Sequence, residues 1–114
     1  MSNEKNYILN INGKAVKVAS KTGDCLIKYV HRSRHLFRGG NAWGLDYEIY
    51  KQAVADGCKY ILIKDLETDR EYFAELGFFE SHGWSHRYGD NRLQLFLGIN
   101  HFDVRNKNQK EFVW

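Results

Sequence analysis

The chain has 114 residues, 43% of them hydrophobic and 15% aromatic, which is enough apolar material for one core but excludes two independent domains. Charged residues make up 27% with a net charge of +3, whereas disordered chains are poor in aromatics and strongly charged. The apolar runs are too short for a membrane span, and residues 1–5 lack the apolar core of a signal peptide. We therefore expect a folded cytoplasmic protein that does not contact a membrane.

Charge is distributed unevenly along the chain. Residues 1–40 carry a formal charge of +6, residues 41–80 carry −5 and residues 81–114 carry +2. If the fold keeps these segments on different faces, one face attracts phosphate or an acidic protein. If the fold places them side by side, they neutralise each other, and the sequence leaves both arrangements open.

The first part of the chain predicts strands. The pair Asn12-Gly13 lies between β-rich runs at 7–11 and 14–18. This pair favours the type I′ turn of a hairpin, because both central positions of that turn take a positive φ. Residues 25–30 are β-branched and aromatic enough for a third strand, which can run on to Arg38.

One main helix is predicted from about Tyr47 to Asp56. The Asp46 carboxylate can accept hydrogen bonds from the free backbone N–H groups of the first turn, and Gly57 is the matching stop signal. The apolar residues at helical spacing, which predict the buried stripe of this helix, are Leu45, Ile49, Ala53 and Val54.

A strand hairpin and a short helix are predicted next. Residues 60–63 are apolar throughout, which is typical of a central strand. The polar residues 67–70 predict a turn, after which 71–74 can return antiparallel to that strand. A short helix from about Glu75 to Ser81 follows, and Gly83 ends it.

These elements predict an α+β fold, with an antiparallel β-sheet of hairpins packed on one main helix and one short helix. A further strand is expected at 93–97. We place the domain at residues 1–104. Residues 105–114 are expected to form a polar tail with the apolar end Phe112-Val113-Trp114.

The order of several short motifs resembles a known group of proteins. His35-Leu36-Phe37-Arg38 precedes Asn41-Ala42-Trp43-Gly44-Leu45-Asp46, which opens a helix; a strand hairpin and a short helix ending in Gly83 follow. Over residues 35–97 this order resembles small uncharacterised proteins carried by phages and plasmids. The resemblance implies an accessory protein of a mobile element and brings no catalytic residues with it.

The densest polar cluster lies at residues 31–38, with three arginines and two histidines. The planar arginine fork donates paired hydrogen bonds to phosphate or carboxylate and stays charged. The alternative is a solvated strand whose arginines pair with the acidic segment 65–71. The candidate residues for binding nucleic acid or a partner are Arg32, Arg34, Arg38, His31, His35, Trp43 and Tyr47.

Aromatic residues follow this cluster along the chain, namely Phe37, Trp43, Tyr47 and Tyr50. The bases of a single strand stack on such rings beside arginine, without sequence readout. The alternative interpretation assigns Trp43 and Tyr50 to the core, as their position at the start and along one side of the helix also allows.

Metal ligation finds little support in the sequence. Every second residue from Asp65 to Glu71 is acidic, but a hairpin turn at 67–70 breaks the alignment that a cation would need. Cys25 and Cys58 lack a metal-type spacing and predict reduced, partly buried thiols. We expect no metal and no cofactor.

The histidines allow one catalytic alternative. His31 with His35, and His82 with His86, have a spacing that suits zinc on a helix, but no third ligand accompanies either pair. Histidine can also act as general acid or base while arginine stabilises developing charge, which is the metal-independent route to RNA cleavage. His31, His35 and Arg34 would carry that reaction.

Together these observations predict a non-catalytic binding module from a mobile genetic element. Its expected partner is a nucleic acid or a nucleoprotein complex, such as a host-defence complex, bound through the basic Arg/His surface. Two alternatives stay open: a small metal-independent ribonuclease, and a protein-binding inhibitor of a defence enzyme. The sequence does not decide between a monomer and a homodimer.

Overall fold

The computed structural model describes residues 4–30, 42–87 and 92–106, and these fold as an α+β structure of nine strands and two helices. The elements, in chain order, are β1 (Lys5–Ile11), β2 (Lys14–Thr22), β3 (Cys25–Val30), β4 (Ala42–Asp46), α1 (Tyr47–Ala55), β5 (Tyr60–Asp65), β6 (Arg70–Glu75), α2 (Phe78–Ser81), β7 (Trp84–Arg87), β8 (Leu93–Gly98), a 3₁₀ turn (Ile99–His101) and β9 (Asp103–Asn106). The predicted fold class is therefore confirmed. Neither helix in the described ranges is long and apolar enough to cross a membrane.

The N-terminal hairpin forms as predicted. Asn12 and Gly13 have φ angles of 53° and 80°, which are the positive values that a two-residue hairpin turn needs. Ile11 pairs with Lys14 directly beside the turn. A register irregularity after Tyr7 interrupts the pairing further along β1. Local turn chemistry alone therefore identified this element.

Six strands form the larger sheet, in the order β1-β2-β3-β5-β6-β9. All neighbours are antiparallel except β3 and β5, which run parallel. A parallel pair needs a long connection, and here that connection contains β4 and α1. The remaining strands form a smaller antiparallel sheet in the order β4-β8-β7. The extension of the third strand toward Arg38 lies outside the described residues.

Helix α1 confirms the predicted capping signals. Asp46 is the N-cap, and its Oδ1 accepts a hydrogen bond from the Glu48 backbone N–H at 2.9 Å. Gly57, with φ 87°, takes the left-handed conformation just after the helix. The predicted buried stripe was partly wrong, because Val54 is 49% exposed and Leu45 belongs to β4. The buried residues of α1 are Ile49, Tyr50 and Ala53.

Three strands were not predicted from the sequence, namely β4, β7 and β9. Every residue of β4 is buried, and every residue of β7 is exposed, so neither shows the alternation of a half-buried strand. Strand β9 runs to Asn106, two residues past the expected domain boundary after residue 104. Pairing with β6 defines this strand, and that pairing is not visible in the local sequence.

The core lies between the two sheets, and one side of α1 packs into it through Ile49, Tyr50 and Ala53. On β3, β5 and β6, the residues that point toward it include Leu26, Ile61 and Tyr72, all 0–1% exposed. Trp43 of β4 packs edge-on against Tyr72, with ring centroids 5.1 Å apart. Helix α2 is shorter than predicted and contributes Phe79. The loop after α2 needs Gly83, because a Cβ there would collide with the Phe96 carbonyl oxygen.

Candidate functional site

The basic Arg/His cluster falls in the connection between β3 and β4. Strand β3 ends at Val30 and β4 begins at Ala42. The predicted binding residues that lie outside the described residues are His31, Arg32, Arg34, His35 and Arg38. Their role, and that of the catalytic alternative that shares them, stays a prediction.

The two aromatic members of the predicted site have different surroundings. Trp43 is 0% exposed and contacts Tyr72 in the core, so its ring is not available for stacking on a base. This position corresponds to the alternative interpretation of Trp43 as a core residue. Tyr47 is half-buried in the first turn of α1, and its ring lies parallel to that of Tyr50. The Lys51 ammonium is 5.0 Å from the centre of the Tyr47 ring.

A cleft opens between the β1–β2 hairpin and the start of α1. It consists of two adjoining cavities of about 370 and 390 Å³, which share Leu9, Asp46 and Arg92. We call this the cationic cleft, after the charged side chains that line it: Lys17, Lys28, Arg87 and Arg92, with the carboxylates of Asp46 and Glu48. Among the lining residues that the structure describes, four cations against two carboxylates leave an excess of two positive charges.

Lys28 is the innermost cation of the cationic cleft. It occupies a core-facing position of β3, two residues from the buried Leu26 and Val30. Its ammonium donates a hydrogen bond to the Gly44 carbonyl at 2.8 Å, which ties β3 to β4. Burial lowers the pKa of Lys28 to about 8, although the charge of Asp46 acts in the opposite direction. A partly desolvated ammonium held in one place attracts an anion more strongly than a solvated one.

Asp46 fixes the position of Arg92 in the cationic cleft. The Arg92 guanidinium donates from Nη2 and Nε to Asp46 Oδ2, at 3.0 and 3.3 Å. Asp46 is only 8% exposed, and its other oxygen caps α1 through Glu48. Both Asp46 oxygens therefore have donors. One carboxylate thus begins the helix and orients the arginine at the same time.

Sequence reasoning missed this site. Lys28 lies within the predicted third strand, and Arg92 directly precedes the strand expected at 93–97, so neither was singled out as a candidate. The two lie far apart along the chain and line one cavity because Lys28 reaches Gly44 of β4, which pairs with β8 next to Arg92. The one available signal was Lys28 itself, which shares the alternation phase of the apolar Leu26 and Val30.

The basic and acidic segments neutralise each other in part. Lys5 in β1 lies 2.7 Å from Asp56 at the end of α1, and Tyr7 donates to the same carboxylate oxygen at 2.7 Å. These two hydrogen bonds lower the pKa of Asp56. The Asp46–Arg92 pair is a second link of this kind. Internal neutralisation therefore holds for these pairs, while the cationic cleft keeps its positive excess.

The alternating acids do not form a cation site. Asp65 is 2% exposed, and its carboxylate accepts hydrogen bonds from Glu67 N and Thr68 Oγ1, both at 2.9 Å. Glu71 lies 3.9 Å from the Lys64 ammonium. Within the described ranges, no three His, Cys, Asp or Glu side chains are grouped so that they could hold a metal ion. The turn that the sequence predicted thus uses the Asp65 carboxylate as its own hydrogen-bond acceptor.

His82 and His86 do not share a helix, because α2 ends at Ser81. His82 faces His101, with ring centroids 5.1 Å apart, and both rings contact Phe78. His86 lies on β7 beyond Gly83.

Both cysteines are free thiols, as predicted, and burial raises the pKa of Cys25 to about 11. A thiol with a raised pKa is a poor nucleophile and a poor metal ligand at neutral pH.

Comparisons with known proteins assign the chain to no family. No protein-family model matches it, no curated protein matches it, and no solved structure matches it. Any assignment of function therefore rests on the residues of the chain itself.

Proposed function

We propose that this protein is a non-catalytic binding module that holds the phosphate backbone of a nucleic acid, free or within a nucleoprotein complex. The cationic cleft provides the fixed part of the binding surface. The basic residues 31–38 follow Lys28 closely along the chain, and in this proposal they supply further phosphate contacts. The resemblance to proteins of phages and plasmids, with a cytoplasmic location and a host-defence complex as partner, belongs to the same proposal.

The observation that carries this proposal is the fixed pair of cations Lys28 and Arg92. Lys28 is held by the Gly44 carbonyl, and Arg92 is held by Asp46. Holding a charged side chain in place before binding reduces the entropy that is lost when the ligand arrives. Arginine offers a planar fork and lysine a compact charge, and phosphate is recognised by both.

The dimensions and lining of the cationic cleft agree with a single-stranded ligand. Each cavity lies within the range of roughly 300–1,000 Å³ that is typical of small-molecule sites, which suits one nucleotide better than a duplex. Tyr47 lines the same cavity as Arg87 and Arg92, so an aromatic ring and two guanidinium groups lie together. Rings next to arginine are the usual means of holding single strands.

The test is a titration of fluorescently labelled single-stranded RNA and DNA at several salt concentrations. Because phosphate contacts release counterions, affinity for the parent protein should fall steeply as salt rises. We expect Arg92→Gln and Arg87→Gln each to weaken binding at low salt and to flatten the salt slope by about 0.7 for a single strand. Lys28→Met keeps most of the length of the side chain, removes its charge and should act in the same direction.

The matched control is Lys59→Gln, which removes one positive charge from an exposed residue beside the start of β5, away from the cationic cleft. It should change affinity far less than Arg92→Gln. Equal losses in both variants would show that binding depends on net charge alone, and undiminished binding by all cleft variants would reject the proposal.

A second variant tests the basic residues 31–38, by replacing Arg32, Arg34 and Arg38 with Gln. The triple variant should lose affinity at low salt and show a flatter salt slope than the parent. Unchanged binding of RNA and DNA would remove this segment from the surface. Cleavage of the labelled RNA in the presence of a chelator, abolished by His31→Ala or His35→Ala, would instead identify a ribonuclease.

A further inference from the structure

The larger sheet has an outward face opposite the core, and this face is rich in apolar and aromatic side chains. Along β3 and β5 the core-facing residues alternate with Ile27, Tyr29, Tyr60 and Leu62. Tyr29 is 53% exposed, and the other three are half-buried. We call the strip that these residues form the outward strip.

Neighbouring strands complete the outward strip. In the sheet register Leu62 lies between Ile27 of β3 and Phe73 of β6, and the Tyr60 ring stacks on Phe73 with centroids 5.3 Å apart. The next row contains Tyr29 beside Lys64, whose ammonium lies 5.5 Å from the Tyr29 ring centre. A contiguous apolar strip on a sheet face is typical of a surface that packs against something else.

Strand β9 ends close to the row of the larger sheet that contains Tyr29 and Lys64. Its last residue, Asn106, pairs with Arg70 at the start of β6. One residue earlier, Arg105 pairs with Glu71, which belongs to the same row as Lys64 and Tyr29. The chain therefore leaves the sheet next to the row that contains Tyr29, which is the most exposed aromatic residue of the outward strip.

The sequence after Asn106 suits a return over this face. Five polar residues, 107–111, precede the apolar triplet Phe112-Val113-Trp114. An extended chain covers about 3.3 Å per residue, so Phe112 can reach roughly 20 Å from Asn106. The distance from β9 to β3 is three strand spacings, or about 14 Å. The triplet can therefore reach every strand that contributes to the outward strip.

We propose that Phe112-Val113-Trp114 docks on the outward strip of its own chain and covers Leu62 and Tyr29. The attachment through five residues gives the triplet a high effective concentration at this face, which favours it over a second copy or a separate partner. Tyr29 also lines one cavity of the cationic cleft, whereas Leu62 lines neither cavity, so a substitution at Leu62 tests the docking without changing a residue of the cleft.

The test is a double-mutant cycle followed by thermal unfolding. The tail variant carries Phe112→Ser and Trp114→Ser, the face variant carries Leu62→Ser, and the combined variant carries all three. Docking predicts that the tail variant melts roughly 4 °C or more below the parent. The combined variant should lose less than the sum of the two separate losses, because the contact between the tail and Leu62 can be lost only once.

Fluorescence supplies a second measurement on the intact chain. The difference spectrum between the parent and Trp114→Phe isolates the emission of Trp114, since Trp43 and Trp84 are present in both. A docked Trp114 gives a blue-shifted difference spectrum, and Leu62→Ser should shift it toward the red. The control is Val54→Ser, which removes an exposed apolar side chain from α1 and should leave this spectrum unchanged.

Three results would overturn the docking. The first is an unchanged melting temperature in the tail variant, and the second is a combined variant that loses the full sum of both effects. The third is a concentration-dependent dimer, seen by sedimentation of the parent and lost in the tail variant, which would place the triplet on a second copy.

Discussion

Apolar residues are usually buried and charged residues are usually exposed, and each face of the larger sheet has exceptions to one half of this rule. The core-facing side contains the charged residues Lys28 and Asp65 among apolar neighbours. The outward side presents Tyr29 and Leu62 to the surface. Residue type alone therefore does not decide the face; what decides it is whether a buried polar group finds partners and whether an exposed apolar group is later covered.

Hydrogen bonds explain how the core-facing side tolerates its charges. Lys28 donates to the Gly44 carbonyl, and Asp65 accepts from Glu67 and Thr68 in the turn that follows β5. A buried charge is costly unless such bonds replace those to water. Hydrogen bonds thus stabilise the buried charged residues of the core-facing side, whereas the apolar residues of the outward side need a cover. Substitutions at neighbouring positions on the two sides test this difference.

The largest effect is expected from neighbouring residues of β5 that point to opposite sides. Ile63 is 0% exposed, whereas Leu62 is half-buried on the outward strip. Ile63→Ala should lower the free energy of unfolding by about 2–5 kcal/mol, because it leaves a cavity in the core. Leu62→Ala should lower it by only about 1 kcal/mol. Urea unfolding of both variants measures the difference, and equal losses would mean that the two faces are equally buried.

A smaller effect is expected at Asp65. Asp65→Ala removes the acceptor for both the Glu67 backbone N–H and the Thr68 hydroxyl. The free energy of unfolding should fall by about 2–3 kcal/mol, from lost hydrogen bonds and a donor left without its partner. Asp65→Asn keeps an acceptor for the Glu67 N–H and should lose less. If Asn and Ala are equally destabilising, the turn bonds are not what stabilises this carboxylate.

The smallest effect concerns the pH dependence of stability at Lys28. Its pKa is about 8 in the folded protein, below the ordinary lysine value of 10.5, so the unfolded chain binds more protons between these two pH values. Stability should therefore rise with pH across this window, by about 1–2 kcal/mol for this partly exposed side chain. Lys28→Met should lack this rise.

Other titratable groups also contribute to the pH dependence of stability, and comparing the parent with Lys28→Met cancels their contribution. Burial raises the pKa of Cys25 to about 11, which lowers stability as pH rises above the ordinary thiol value of 9.0. This contribution is present in both proteins and cancels in the difference between their unfolding curves. Parallel curves for parent and variant from pH 8 to 10.5 would show that Lys28 is well solvated.

Much of the local structure was predictable because its signals lie within a few residues of each other. The Asn12-Gly13 turn, the Asp46 cap and the stop at Gly57 each depend on local backbone geometry. The turn at 67–70 also formed as predicted. Strands β4 and β9 were missed because long-range pairing, with β8 and β6, defines them.

The candidate site was the least predictable part of the protein. The sequence pointed to the Arg/His cluster at 31–38, a dense run of charge that is visible without any fold. The cationic cleft combines Lys28 of β3, held by the Gly44 carbonyl, with Arg92 beside β8, held by the Asp46 carboxylate. Trp43, expected as a stacking surface, is in the core because β4 is buried along its whole length.

By itself, the sequence determined the fold class, the N-terminal hairpin and the limits of the main helix, because turns, caps and periodicity act over a few residues. Only the tertiary structure decided which side of β3 faces the core, that Lys28 and Arg92 line one cleft, and that Leu62 lies outward. The physical reason is that these relations follow from pairing and packing between distant segments, whose partners no local pattern identifies.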